Sequence, residues 1–225
     1  MDLVLDYSRQ EECWTPEVLW RGQDVFILGG GPSLRDADLS GLAARHAAGS
    51  ARVIAVNSSH LLAPWADILF FTDNSWFECH VDIVRQWPQL VVTFSRATKA
   101  ALPDKVRRIR GILMPEFPPL RSEMVRLGQS SGQSAISLAI AMGATRIVLL
   151  GFDMREDAGR SHHHDEYRNT DPKLYTRDFL PGFCGWDADA KAAGVEILNA
   201  TPESALMEFK QISLASILSR ADTRE

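Results

Sequence analysis

Six short apolar runs punctuate the chain, at 25–28, 52–56, 67–72, 90–94, 146–150 and 195–198. Each is too short for a helix and rich in branched side chains. None alternates cleanly with polar residues, so the pattern predicts strands buried on both faces, the habit of parallel sheets. Between them, residues 37–48 place Leu39, Leu42, Ala43 and His46 on one helical face. Residues 131–142 repeat Ala135, Leu138, Ala139 and Met142 at helical spacing and meet a stop at Gly143. Strand alternating with helix implies right-handed crossovers and predicts an α/β fold, a doubly wound and mostly parallel sheet.

Two stretches break the alternation. Residues 107–129 hold Pro115, Pro118 and Pro119 and leave room for at most a short strand and a short helix. Residues 155–185, after the fifth predicted strand, are polar and follow neither period. An aperiodic insertion at a strand's carboxyl end predicts a lid over the edge where such sheets bind ligands. With few apolar anchors, this lid is expected to order only around a ligand.

Composition adds bounds. The 225 residues are 45% hydrophobic and 24% charged, with a net charge of −5. One domain over 1–225 is expected, and wholesale disorder is excluded. The mild acidity gives no push toward nucleic acid or anionic membrane. No run approaches the roughly 18 apolar residues of a spanning helix, and residues 1–6 do not read as a signal peptide. A soluble, cytoplasmic protein is expected, with Cys13, Cys79 and Cys184 as reduced thiols and no structural zinc. Trp14, Trp20, Trp65, Trp76 and Trp87 suit either a homo-oligomer interface or core burial.

The chemistry concentrates at the predicted strand ends. Gly29-Gly30-Gly31-Pro32-Ser33-Leu34 closes the first run, and glycines there allow backbone N–H groups to approach an anion. No lysine follows, which excludes a phosphate-binding loop of the Walker type. The dinucleotide fingerprint matches at Gly29 and Gly31 but meets Leu34 at its third glycine. The second strand ends in Asn57 rather than an acid, which disfavours NAD. Asn57, Ser58 and Ser59 suit a ribose, a base edge or a phosphate oxygen, and the serines equally suit a helix cap. Asp73 reads as a ligand for a metal or a sugar hydroxyl, or as a cap. Ser131 and Gly132 open the strongest helix, a second anion site or a plain N-terminus.

In the lid, His162 and His164 share a side of an extended strand while His163 faces away. A neutral imidazole suits a general base; with Asp153 or Asp165 the same residues suit a divalent metal. Arg160, Arg168 and Arg177 are candidates to clamp phosphates. Thr201 before Pro202 reads as a helix N-cap, with Asn199 or Ser204 placed to face the crevice.

The run from Val25 through G-G-G-P-S-L, then Val56-Asn57-Ser58, then Ser131-Gly132, then Leu149-Leu150-Gly151-Phe152-Asp153-Met154, resembles the MptE-like Rossmann superfamily. Its archaeal members are hydroxymethyl-dihydropterin pyrophosphokinases, and it includes phage-encoded proteins. The pattern is also similar to bacterial sialyltransferases that use CMP-sialic acid, which share the G-x-G-P-S-L start and the G-x-D strand end. The resemblance spans residues 24–206. It implies a Rossmann-like fold and a nucleotide held by Gly29, Gly30, Gly31, Pro32, Ser33, Asn57, Ser131, Gly132, Gly151, Phe152 and Asp153; Ser58 and Asp73 join them from the reading of the strand ends. It further implies a CMP-type nucleotide-sugar donor with His162 or His164 as base, or ATP with Mg²⁺ in a pyrophosphokinase. A non-catalytic nucleotide-binding protein is the third expectation. Met154 stands where the sialyltransferases carry a tyrosine against the donor phosphate.

Overall fold

The computed structural model describes residues 13–114, 116, 117, 119, 122, 124–166 and 170–219. Pro115, Pro118, Tyr167 and Arg168 lie outside the described residues. The strands are β1 (Asp24–Leu28), β2 (Ala51–Val56), β3 (Ile68–Phe71), β4 (Leu90–Thr93), β5 (Val106–Arg108), β6 (Arg110–Ile112), β7 (Met124–Arg126), β8 (Arg146–Leu150), β9 (Glu196–Asn199) and β10 (Lys210–Gln211). Among the described residues, eight of them form one sheet in the order β10-β9-β8-β1-β2-β3-β4-β5, and β6 pairs with β7 alone. Every pairing between these strands is parallel.

The register explains why the apolar runs are continuous. Ile27 lies beside Ile54 and Leu149, and Phe26 beside Val53 and Val148. Successive side chains point to opposite faces, so each strand feeds two cores. Val25, Ile27, Ile54, Phe70 and Leu149 pack under one layer of helices, while Phe26, Leu28, Val53, Phe71 and Leu150 pack under the other.

The six predicted strands are all present. The 107–129 region differs from expectation: it holds β6, β7 and the end of β5, and no helix among its described residues. These strands are three residues each and carry four arginines between them, so they offer no apolar run to read.

Helix α1 (Ser40–Ala47) covers one face. Helices α2 (Asn74–Cys79), α3 (Val81–Gln86) and α4 (Arg96–Ala101) follow β3 and β4. Helix α5 (Ser131–Ala141) is buried from Gln133 to Ala141, wedged between the main sheet and β7. Ser130 and Gln133 form a reciprocal capping box at its start, and Gly143, with φ +94°, ends the turn that follows it.

The lid region is only partly irregular. Residues 155–166 lack regular elements apart from a bridge between Asp157 and Arg160, but Pro172–Leu174, Tyr175–Phe179 and Leu180–Gly182 form one helical run whose middle section has π geometry. The expectation of few apolar anchors is corrected here. Phe183 is fully buried against Phe152, Trp186 and Phe209, and Tyr175 is buried too. Trp20, Trp76 and Trp87 lie in the core, so burial accounts for them. No helix opens at Thr201; its hydroxyl instead accepts from the Phe152 backbone N–H at 2.9 Å. Among the described residues no helix is long and apolar enough to cross a membrane.

Candidate functional site

Strands β1 to β5 step across the sheet in one direction and β8 to β10 in the other, so the direction reverses at the β1–β8 seam. Open parallel sheets form a crevice at such a seam, outside the strands' carboxyl ends. A cavity of about 380 Å³ lies there. Its walls come from Gly29–Gly31 after β1, Val56 and Asn57 at the end of β2, Thr72 and Asp73 after β3, Gly128–Gly132 at the start of α5, and Gly151–Arg155 after β8. Ser161, His162, Thr170, Tyr175 and Phe179 close it from the lid.

The glycine turn is a clasp. Gly29 N–H donates to the Leu150 carbonyl at 2.7 Å and Gly31 N–H to the Gly151 carbonyl at 2.9 Å. Ser33 donates twice to Asp153, from its backbone N–H at 3.0 Å and its hydroxyl at 2.9 Å. Ser59 Oγ donates to the Gly29 carbonyl. Three N–H groups that an anion cradle would use therefore already have protein acceptors, and the phosphate-cradle expectation for Gly29–Ser33 is corrected on that point. Gly31 is required by close approach, since a Cβ would sit 1.8 Å from Asp153 Oδ2, while its φ of −67° suits any residue. Pro32 and Ser33 back the turn and are not among the cavity's lining residues.

The N-terminus of α5 forms another wall of the cavity. Ser131 and Gly132 line the cavity, and the N–H groups of a helix's first turn have no intrahelical acceptor. Gly132 lies against the Phe152 ring, where a Cβ would come within 2.7 Å of a ring carbon. Thr72 and Ser131 join their hydroxyls at 2.6 Å and tie β3 to α5.

Asn57 adopts a left-handed backbone with φ 51° and lines the cavity with a buried amide oxygen that has no hydrogen-bond partner among the described residues. A buried, unsatisfied polar atom at a cavity wall is the usual trace of a ligand or water contact. Ser58 lies elsewhere: it is buried and its hydroxyl accepts from the Trp76 indole at 2.9 Å. Asp73 lines the cavity but also caps α2, accepting from the Ser75 N–H and hydroxyl at 2.8 Å each. Asn199 and Ser204 do not face the crevice. They are bonded together at 3.0 Å, and the Ser204 hydroxyl donates to the Phe152 carbonyl at 2.6 Å, bracing the Gly151–Asp153 loop from behind.

The alternation expected of the histidines holds. The rings of His162 and His164 stack at 5.1 Å between centroids and 6° between planes, and His163 turns edge-on. His162 forms cavity wall, packs on Gly30 and lies 3.3 Å from Thr170 Oγ1. His164 stands behind it. His163 is buried and its backbone N–H donates to the Gly30 carbonyl at 3.1 Å, which stitches the lid to the turn. Burial and the neighbouring imidazoles push His163 down to about 3 and His164 down to about 4.

The metal expectation does not fit these positions. Asp165 is exposed and paired with Arg35 at 3.4 Å, and both Asp153 oxygens are held by Ser33. Among the described residues no three His, Cys, Asp or Glu side chains converge as a metal ion requires. Arg160 and Arg177 are exposed, the latter bonded to Asp178. Arg155 lines the cavity in their place, held by Glu203 at 3.0 Å. Tyr175, which the sequence places in the lid without a role, and Phe179, missed from the sequence, form wall as an i,i+4 aromatic pair with centroids 5.9 Å apart; that spacing was their readable signal.

No protein-family model matches this chain, and no curated protein matches it. Among solved structures it is similar to a MAf glycosyltransferase from Magnetospirillum magneticum AMB-1, with a TM-score of 0.59 and 14% identity. The match covers 91% of this chain and 36% of that one, so the chain spans about a third of the neighbour's length. At that identity the likeness is one of fold.

Proposed function

We propose that the chain is a transferase that binds a nucleotide-type ligand in the β1–β8 crevice, acting as a glycosyltransferase with a CMP-type sugar donor. The observation that carries this reading is the cavity itself, at the reversal of strand order, with the amino end of α5 on one side and His162 on the other. The glycosyltransferase fold-neighbour and the motif resemblance to CMP-sialic-acid-dependent enzymes support the same class. In this reading the phosphate meets the N–H groups of Ser131 and Gly132, and Asn57 meets the ribose or base. The acceptor hydroxyl attacks the anomeric carbon, the bond from that carbon to the phosphate oxygen breaks, and the nucleoside monophosphate leaves. His162 takes the acceptor's proton, because it forms cavity wall and His164 does not; His164 supports its ring by stacking.

Calorimetry with CMP, CTP, ATP and NAD tests the reading. Preference for cytidine is expected, with His162→Ala slowing turnover and leaving nucleotide affinity within about twofold, because a base acts in the transition state. Mg²⁺-dependent consumption of ATP would replace glycosyl transfer by diphosphate transfer to a pterin-like alcohol. Binding of no nucleotide would sink the reading altogether.

A further inference from the structure

Ser161, His162, Thr170 and Tyr175, which close the cavity from the lid, belong to one hydrogen-bonded chain. Thr170 Oγ1 lies 3.3 Å from His162 Nε2. The buried Tyr175 phenol is bonded to the Thr170 and Ser161 side chains. The buried Ser161 hydroxyl donates to Glu156 Oε1 at 3.3 Å and to the Thr170 carbonyl at 3.2 Å. Tyr175 also opens the section of π geometry, Tyr175–Phe179. Such turns are rare and recur at functional sites.

Proton counting gives the chain a direction. A carboxylate and a carbonyl accept and do not donate, so the single Ser161 proton is committed to Glu156 and the Thr170 carbonyl. The Tyr175 phenol then gives its proton to Ser161, and burial, which raises its pKa, keeps that proton in place at neutral pH. With the phenol's proton committed, Thr170 donates to the Tyr175 oxygen. The Thr170 oxygen is left to accept, and its partner is the Nε2–H of His162. This arrangement alone satisfies every bond of the chain.

We propose that Thr170 and Tyr175 are positioning residues for His162, and that through them the acceptors at Ser161 hold the ring's proton on Nε2. Nδ1, the edge that lies over Gly30 at the cavity wall, is then the atom that takes the acceptor's proton. In the transfer step the acceptor O–H bond breaks, its proton bonds to Nδ1, and its electron pair forms the bond to the anomeric carbon as the nucleoside monophosphate leaves. The imidazolium so formed keeps its Nε2–H on Thr170, at the head of a chain that ends in a carboxylate. The opposite tautomer would present an N–H to the acceptor and could not take its proton. The base role rests on the transferase reading; the tautomer does not.

The test is nitrogen NMR of the full chain with isotope-labelled histidine at about pH 8, where the rings are neutral. Loss of its signals in His162→Gln identifies the ring. A single tautomer with the proton on Nε2 is expected. Thr170→Val, which keeps the shape and removes the hydroxyl, should give a mixture; Tyr175→Phe should do so in part, and Thr170→Ser should restore the wild-type spectrum. Release of CMP from CMP-sialic acid, with water as the acceptor, reads the consequence. In Thr170→Val kcat should fall about tenfold, the size of one hydrogen bond, with KM within about twofold, and Thr170→Ser should recover it. Where Thr170→Val does not fold, Tyr175→Phe carries both measurements. A proton on Nδ1, a tautomer indifferent to these variants, or an unchanged kcat overturns the proposal. A wild-type chain that releases no CMP, yet holds its proton on Nε2 through Thr170, overturns the transferase reading and leaves the hydrogen-bonded chain standing.

Discussion

Burial raises the Asp153 carboxyl above its usual range, and the two hydrogen bonds from Ser33 oppose that rise without cancelling it. The residue thus stores a desolvated charge at the cavity wall, and its substitutions separate charge from bonding. Asn at this position can still accept from the Ser33 N–H and can donate to its hydroxyl, so Asp153→Asn should hold or raise stability, within about 1 kcal/mol. Asp153→Ala leaves both Ser33 groups without their acceptor and should cost about 1–3 kcal/mol in urea unfolding. Gly31→Ala puts a methyl group onto the same carboxylate and onto the Gly151 carbonyl, 2.7 Å from the added carbon. Overpacking of this kind costs about 1–3 kcal/mol. Part of that penalty comes from the Asp153 oxygen, so it should shrink in the Asp153→Ala background. Equal penalties in both backgrounds would mean that the carbonyl alone sets the spacing.

At the scale of the element, α5 organises the site, because its capping box fixes where its first N–H groups point. The Gln133 side-chain oxygen accepts from the Gln129 N–H at 2.7 Å and the Ser130 N–H at 3.2 Å, while Ser130 Oγ accepts from the Gln133 N–H at 3.4 Å. Ser130→Ala should lower stability by about 1 kcal/mol and should weaken nucleotide binding as well, whereas a cap far from the cavity, such as Ser213 before Leu214–Leu218, should affect stability alone. This helix was legible in the sequence because its apolar spacing and its glycine stop are local signals. β1, β2, β3, β4, β8 and β9 were legible for a similar reason: strands buried on both faces need unbroken apolar runs. The exposed β10 pair Lys210 and Gln211 carries no such run and was missed, and the arginine-rich β5 to β7 carry none either, so that the sequence left room for at most one short strand there. The glycine turn was found, but its bonding was not, because the acceptors on Leu150, Gly151 and Asp153 lie about 120 residues away in the chain. Period-two alternation placed His162 and His164 on one side; the position of Gly30 and Thr170, a tertiary fact, decided which of them meets the cavity.

Across the whole molecule, five of the six histidines gather at one end of the sheet. His80 stacks on Trp76 at 4.3 Å, faces His60 at 5.9 Å and pairs with Glu166 at 3.2 Å, while His162, His163 and His164 bring three more rings from the lid. Arg35 adds charge beside His163, and Glu166 partly offsets the cluster at His164. Burial is the leading cause of depression at His60, His163 and His164 alike, so these rings are neutral in the folded protein at neutral pH. In the unfolded chain they titrate near their ordinary 6.5. The unfolded state therefore binds more protons than the native state once pH falls below that value, and stability must fall with it. Full stability is present above about pH 6.5, and His163 alone should contribute a slope approaching about 1.4 kcal/mol per pH unit below it. Urea midpoints measured from about pH 8 to pH 5, above the range where ordinary carboxylates titrate, isolate this contribution. His163→Leu should flatten the dependence, and His163→Leu with His164→Leu should flatten it further. The lid should release before the sheet, because His163 fastens it to Gly30, so hydrogen exchange at 161–166 should accelerate at pH 5.5 while β1 and β8 stay protected. A midpoint independent of pH over this range would show that the histidines are hydrated in solution and that the lid is not seated on the turn.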